Sequence, residues 1–336
     1  MNAKTKKTLQ ILLSLLVLAV CFYYALKGIN LKDLWKLIAG ANYWWAIVSV
    51  PVILASHWVR AVRWKRILKP IKQVKSTFNL FSSVMLGYAI NCISPRAGEF
   101  VRPYSLVRRE KMSYSSALGT IVVERVIDVL SLVFLLAVTF LFQSGKVLKG
   151  LPAEFDSGKI LIIVLIVIGV FILAFYPPIG KFFLQIMIKP FSEKMYNKCL
   201  ELFEKFLAGF DIIKYPSEYL MLFVESMLIW LLYTLPMWIM FYSFSFEQVY
   251  HLNFEDAILL NVISGVITTV APTPGALGLY HVAIQNSMYA IYGIPLAEGL
   301  AYATLTHGIN YLVQIFVGGL CFFNENIGKD VIVKQK

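Results

Sequence analysis

In a chain of 336 residues, 59% hydrophobic and only 15% charged, a single soluble core cannot hide the apolar surplus. Soluble domains run to about 45–50% apolar and about 25% charged. The formal net charge of +12 would suit nucleic acid, but the basic residues flank apolar runs; that placement points to anionic membrane headgroups and away from nucleic acid.

In chain order, apolar runs at 9–26, 43–64, 113–142, 159–176, 218–242 and 296–323 are each expected to cross a hydrocarbon core about 30 Å thick as a helix. The first run follows Lys4, Lys6 and Lys7 in the manner of a signal peptide. Val20 is too bulky for the cleavage box that Leu18-Ala19-Val20-Cys21 resembles, so an uncleaved helix is expected. Two further apolar segments, 76–111 and 256–292, are interrupted by Pro and Gly. Residues 177–217 mix Lys and Glu with Phe, Leu and Ile and read as cytoplasmic amphipathic helices on the membrane surface.

Charge bias decides whether the interrupted segments cross or turn back. If both are hairpins returning to their own side, twenty-four Lys and Arg lie inside and six outside, with Arg125 set apart. If each crosses once, the division is sixteen against fourteen. The positive-inside rule favours the hairpins. The expected fold is therefore an all-α polytopic membrane protein. It has about six crossings, two re-entrant broken hairpins and both termini cytoplasmic, in the cell (inner) membrane.

An internal repeat supports this arrangement. Gly87, Pro95 and Gly98 have counterparts in Gly265, Pro272 and Gly275, and a similar offset pairs Arg125 with His307 and Asp128 with Asn310. The expectation is a single membrane domain over 1–336. The first repeat is 9–142 with hairpin 76–111, and the second is 159–323 with hairpin 256–292. Entry from opposite faces is the inverted-repeat architecture of many transporters.

The first break, Ser94-Pro95-Arg96-Ala97-Gly98-Glu99, is followed by Arg102. Irregular backbone at membrane depth is tolerated only where it is buried in protein or lines a wet cavity. A helix starting after Gly98 would aim free N–H groups at the break, a seat for phosphate, with Arg96 and Arg102 adding charge. The competing reading is an ordinary basic cytoplasmic loop. Within 113–142, Ser116, Thr120, Glu124, Asp128 and Ser131 form one polar stripe at helical spacing, with Arg125 beside it. These charges are either a structural ion-pair cluster or a substrate-facing group, since each costs about 2.5–3.5 kcal/mol at a helix centre.

Thr306, His307, Asn310 and Gln314 make a second stripe. His307 is a candidate proton carrier or a packed histidine; Glu225 is a candidate coupling carboxylate or the partner of a buried arginine. The second break, Ala271 to Gly278, carries no charge, so Pro272, Pro274, Gly275 and Gly278 are expected to act through backbone geometry, as Pro95 and Gly98 do in the first. Trp44, Trp45, Trp58 and Trp64 fit an interfacial belt. The run Arg60 to Arg66 is expected to anchor its helix to anionic lipid, with Arg60 and Arg63 alternatively facing a cavity. The cysteines Cys21, Cys92, Cys199 and Cys321 show no CxxC spacing and the four histidines no HExxH, so neither a metal nor another cofactor is expected.

Arg60-x-x-Arg63-Trp64, Gly87-x-x-x-Asn91-x-x-x-Pro95-Arg96-x-Gly98-Glu99-x-x-Arg102, Val123-Glu124-Arg125-x-x-Asp128 and Pro272-x-Pro274-Gly275-x-x-Gly278 occur in this order. Over about residues 10–325 the chain thereby resembles the flippase-like family named after the transmembrane region of lysylphosphatidylglycerol synthase. That family includes the flippase half of the multiple peptide resistance factor, which moves aminoacylated phosphatidylglycerol, and archaeal proteins linked to polyprenyl-phosphate glycans. The resemblance implies a lipid translocase for an anionic phospholipid or polyprenyl-phosphate lipid. The chain reaches Lys336 without a soluble synthase domain, so no synthase activity is expected, and a separate synthase or a second copy is a candidate partner. Many members are expected to carry arginine where this chain has His307.

On this reading Arg63, Arg96, Arg102 and Arg125 neutralise phosphate, Glu99, Glu124 and Asp128 balance them or hold a cationic group, and His307 and Asn310 complete the site. The chain has no P-loop, so an ion gradient or the lipid gradient would drive movement. The alternative is an intramembrane transferase, or the membrane partner of a lipid-modifying enzyme, with Glu124 or His307 as its acid–base group.

Overall fold

A computed structural model describes residues 16–149, 158, 159, 162, 177–190, 192, 193, 195–201, 216–271 and 273–324, and among these every regular element is helical. The order is α1 (Leu16–Leu26), α2 (Leu31–Ala39), α3 (Tyr43–Leu68), α4 (Thr77–Ile93), α5 (Gly98–Glu110), α6 (Tyr114–Lys149), α7 (Pro177–Met187), α8 (Pro216–Ile239), α9 (Phe246–Val249), α10 (Phe254–Val270), α11 (Leu279–Tyr292) and α12 (Leu296–Asn324). Tyr43–Leu68, Tyr114–Lys149, Glu218–Ile239 and Leu296–Phe323 are long and apolar enough to cross a membrane. The chain is an all-α membrane protein.

Of the six expected crossings, these four have full-length helices and α1 supplies part of the first. Most of 159–176 lies outside the described residues, as do Pro272 and much of 177–217. Within 177–217, α7 exposes Phe182, Ile186 and Met187. Helix α6 continues past the expected boundary at 142 to Lys149, with a kink where Gln143 leaves helical geometry (φ −128°, ψ 29°).

Both interrupted segments are helix–break–helix units. In the first, α4 and α5 pack antiparallel: Gly98 N–H donates to Asn91 Oδ1 (2.7 Å), the Ser83 and Ser105 hydroxyls meet at 3.0 Å, and Arg109 donates to Asn79 Oδ1 (3.1 Å). Its base is tied to the end of α3 by Lys65 Nζ, which donates to Lys75 O (3.0 Å) and Thr77 Oγ1 (3.2 Å). In the second, α10 packs on α11 around a 3₁₀ turn at Pro274–Ala276. Its base is held at the far end of α6, where Lys146 meets Asp256 (2.6 Å) and Gln143 donates to Glu255 O (2.9 Å). Since α6 starts just after the first hairpin and ends at the base of the second, the two hairpins enter the bundle from opposite ends.

The packing is paired across the chain. Helix α3 packs on α4 as α8 does on α10, α5 on α6 as α11 on α12, and α4 on α12 as α10 on α6. Helices α3 and α8 lie antiparallel, with Asn42 N–H bonded to Ser243 O (2.9 Å) at one end and Arg66 bonded to Glu218 (2.7 Å) at the other. Helix α1 lies on α11, where Gln285 Nε2 reaches Ala25 O (3.2 Å).

The arms of the first hairpin touch backbone to backbone. A Cβ added at Gly98 would lie 1.9 Å from Gly87 O and 2.7 Å from Asn91 Oδ1, whereas one at Gly119 meets nothing within 4 Å. Gly98→Ala is therefore expected to force the arms apart and to cost about 1–3 kcal/mol. Thermal unfolding in detergent should show a clear loss for Gly98→Ala and little for Gly119→Ala.

Candidate functional site

The site is built where the two breaks meet. In the first, Arg96 takes a left-handed backbone (φ 58°), a turn that reverses the chain between two helices and aims its guanidinium across at the second hairpin. There Arg96 Nη2 donates to Thr269 O (2.7 Å), a carbonyl in the last turn of α10, where no intrahelical donor remains. In the second break, Gly275, Ala276 and Gly278 have φ of 54°, 60° and 80°. Gly275 is required twice over, by its φ and because a Cβ would stand 2.5 Å from the Tyr311 ring. The Tyr311 hydroxyl in turn donates to Cys92 O in the last turn of α4.

The N–H groups expected to seat a phosphate at the start of α5 are already used. Gly98 N–H goes to the Asn91 side chain, Glu99 N–H to Arg96 O and Phe100 N–H to Ala97 O. Positive charge in the site comes instead from arginine side chains. Glu124, 0% exposed on α6, is held by Arg102 from α5 (2.8 Å to each carboxylate oxygen) and by Arg60 from α3 (3.2 Å). Asp128 binds Arg60 (2.8 Å), Arg63 and Arg125 (3.5 Å), and Arg125 also reaches Glu99 (3.5 Å). With Arg96, five arginines face three carboxylates, leaving two positive charges without a matching carboxylate.

Between the hairpin tips and helices α3, α6, α8 and α12 lies a cavity of about 540 Å³, within the range of about 300–1,000 Å³ usual for ligand pockets. Its charged lining is Arg60, Arg96, Glu99, Arg125 and Asp128; His57, Tyr88, Asn91, Tyr233, Asn261, Tyr280, His307, Asn310 and Gln314 add further polar groups. His57 is only 2% exposed, and neither ring nitrogen has a hydrogen-bond partner among the described residues.

The structure sorts the expected site residues into two shells. Arg96, Glu99, Arg125, Asp128, His307 and Asn310 line the cavity, together with Pro95 and Gly275. Arg63, Arg102 and Glu124 stand behind them. Arg63 also donates to Ser226 (2.9 Å), and the Arg102 guanidinium lies 3.9 Å from the centre of the Trp64 ring. Pro274 starts the 3₁₀ turn, and Gly278 packs against α1, where a Cβ would lie 2.7 Å from that of Cys21.

Glu225 is not on the cavity. Arg66 grips it through Nε (3.1 Å) and Nη2 (2.8 Å), which favours the reading of Glu225 as an arginine's partner. In the run expected to anchor its helix to lipid, Arg60 and Arg63 are instead buried against α6, and the half-buried Arg66 pairs with Glu218 and Glu225 of α8. Trp64 is likewise no belt residue; it is fully buried, and its Nε1 donates to Thr120 Oγ1 (2.9 Å). His57, Tyr88 and Tyr233 escaped the sequence reading. His57 lies one turn before Arg60 on the same helix face, a spacing that would have marked it.

A family model described as the lysylphosphatidylglycerol synthase TM region matches residues 11–318. The chain belongs to this family. Within the same range of similarity, a UPF0104 membrane protein of Methanocaldococcus jannaschii is 25% identical over 94% of the chain and 93% of its own length. Another from Pyrococcus horikoshii is 22% identical over 94% of the chain and 96% of its length. Glycosyltransferase AglD of Haloferax volcanii is 22% identical over 86% of the chain, which spans 50% of that protein. No solved structure matches. The family motifs quoted from the sequence fall on the arginine–carboxylate network, the two breaks and the cavity wall.

Removing one member of a buried ion pair strands the others, at a cost of about 3–5 kcal/mol. Glu124→Gln leaves Arg60 and Arg102 without their shared carboxylate, so it is expected to lower the unfolding midpoint far more than Asp33→Asn, whose partner Lys36 is exposed. Thermal denaturation of the two variants measures the difference.

Proposed function

We propose that this protein moves a lipid with an anionic phosphate head between the two leaflets, with the hairpin cavity as its headgroup site. The observation that carries the reading is the surplus of arginine around a cavity set among membrane-length helices. An excess of two arginine charges over carboxylates around the cavity favours an anionic occupant, and the planar guanidinium suits phosphate oxygens. Arg60, Arg96 and Arg125 would contact the phosphate, while Arg63, Arg102 and Glu124 hold them in place from behind.

The membrane arrangement follows from the same geometry. With α4 and α5 spanning only 17 and 13 residues, neither reaches the about 20 residues needed to cross. Both hairpins would be re-entrant, from opposite leaflets, with both termini cytoplasmic in the cell membrane. The paired packing supports an inverted repeat whose halves move against each other around a central site, as in alternating access. An ion gradient or the lipid gradient would drive the cycle, and His307 on the cavity wall is the candidate proton carrier.

A second reading, the membrane part of an enzyme acting on a lipid-linked substrate, draws on the name of the Haloferax relative. The test is a leaflet-resolved assay in proteoliposomes carrying fluorescent phosphatidylglycerol. The protein is expected to move this lipid faster than protein-free vesicles do. Arg125→Ala should slow movement roughly ten- to hundredfold, as loss of a charge-assisted bond worth about 1.5–3 kcal/mol implies, and Lys36→Ala on exposed α2 should not. An unchanged rate in Arg125→Ala would remove the site assignment, and chemical conversion of the lipid without movement would favour the enzyme.

A further inference from the structure

We infer that Arg96 is an anion-released latch: its guanidinium holds the second hairpin closed by capping α10, and a phosphate oxygen entering the cavity competes for it and frees that tip. This rests on the headgroup reading of the cavity.

The geometry places two caps at equivalent points. Cys92 and Thr269 are each the penultimate residue of the first helical arm of a hairpin, and the spacing that relates Pro95 to Pro272 also relates them. At a helix C-terminus such carbonyls have no intrahelical donor, and here each is capped from the other half of the molecule. Tyr311 of α12 caps Cys92 O, and Arg96 of the first break caps Thr269 O.

The two acceptors match, but the donors differ. Tyr311 is neutral and its ring is wedged over Gly275, so an anion has little hold on it. Arg96 carries a full charge, is exposed, and lines the cavity beside Glu99 and Arg125. Its contact is a single bond to a neutral carbonyl, which a phosphate outcompetes by adding the attraction of opposite charges and a bidentate grip on the guanidinium. Ligand entry therefore loosens one cap and leaves the other. The second hairpin, whose break already carries three left-handed residues, is the part expected to move.

Spin labels at Phe100→Cys and Val266→Cys, in a Cys199→Ser background, report the distance between the hairpin arms in nanodiscs. Adding phosphatidylglycerol to phosphatidylcholine discs, or millimolar inorganic phosphate, is expected to add a longer-distance component. A response to phosphatidylglycerol alone assigns the release to a lipid head, and one to phosphate as well shows that the oxygens suffice. Arg96→Gln, which keeps a neutral donor, should lose the response to both, whereas Tyr311→Phe should keep it. No change in the native chain with either probe, or a full response in Arg96→Gln, overturns the latch. The readout is separate from transport. Lipid movement without a distance change sinks the latch alone, and a distance change without lipid movement sinks the translocation reading alone.

Discussion

Glu124 sits in the middle of the protein with no access to solvent and is reached by Arg102 from α5 and Arg60 from α3. A carboxylate in that position is tolerated only with its cations fixed around it, so the pairing sets how α3, the first hairpin and α6 lie against one another. Asp128, one turn further along α6, repeats the arrangement with Arg60, Arg63 and Arg125. The same network forms the protein wall behind the irregular backbone at Pro95. The cavity follows from the same constraint, because its charged wall is the inner edge of the network.

The two hairpins divide the labour unequally. The first brings Arg96 and Glu99 to the cavity, its arms held together by Gly87 against Gly98 and by Asn91 on the Gly98 N–H. The second brings no charge. Its contribution is conformational: a short 3₁₀ turn and three residues in the left-handed region, of which Gly275 and Gly278 also admit close neighbours that a Cβ would strike. Charge thus lies on one tip and uncharged, irregular backbone on the other.

The matched helix pairings around α3 and α8 put this unequal pair of tips where the halves of the chain meet. A site on such a junction is shared by both halves, which is what the proposed alternating movement calls for. That connects the headgroup chemistry to the translocation proposed for the family member described here.

By itself the sequence determined the solvent, the helices and the breaks. The length of apolar runs dictates membrane helices, Pro and Gly interrupt 76–111 and 256–292, and the three-to-four spacing from Thr120 through Asp128 marks an inward face on α6. These are local properties, written in consecutive residues. Only the tertiary structure decided the partner of each charge. Arg60 and Arg63 read as a basic run that anchors a helix or faces a cavity, Glu225 as a coupling carboxylate or an arginine's partner, Trp64 as a belt residue and the N–H groups at the start of α5 as free. Each was decided once α6, α8, α5 or α4 supplied the facing side chain. Pairing across helices depends on which faces meet at sequence separations of tens to hundreds of residues, and neither hydropathy nor helical period carries that information.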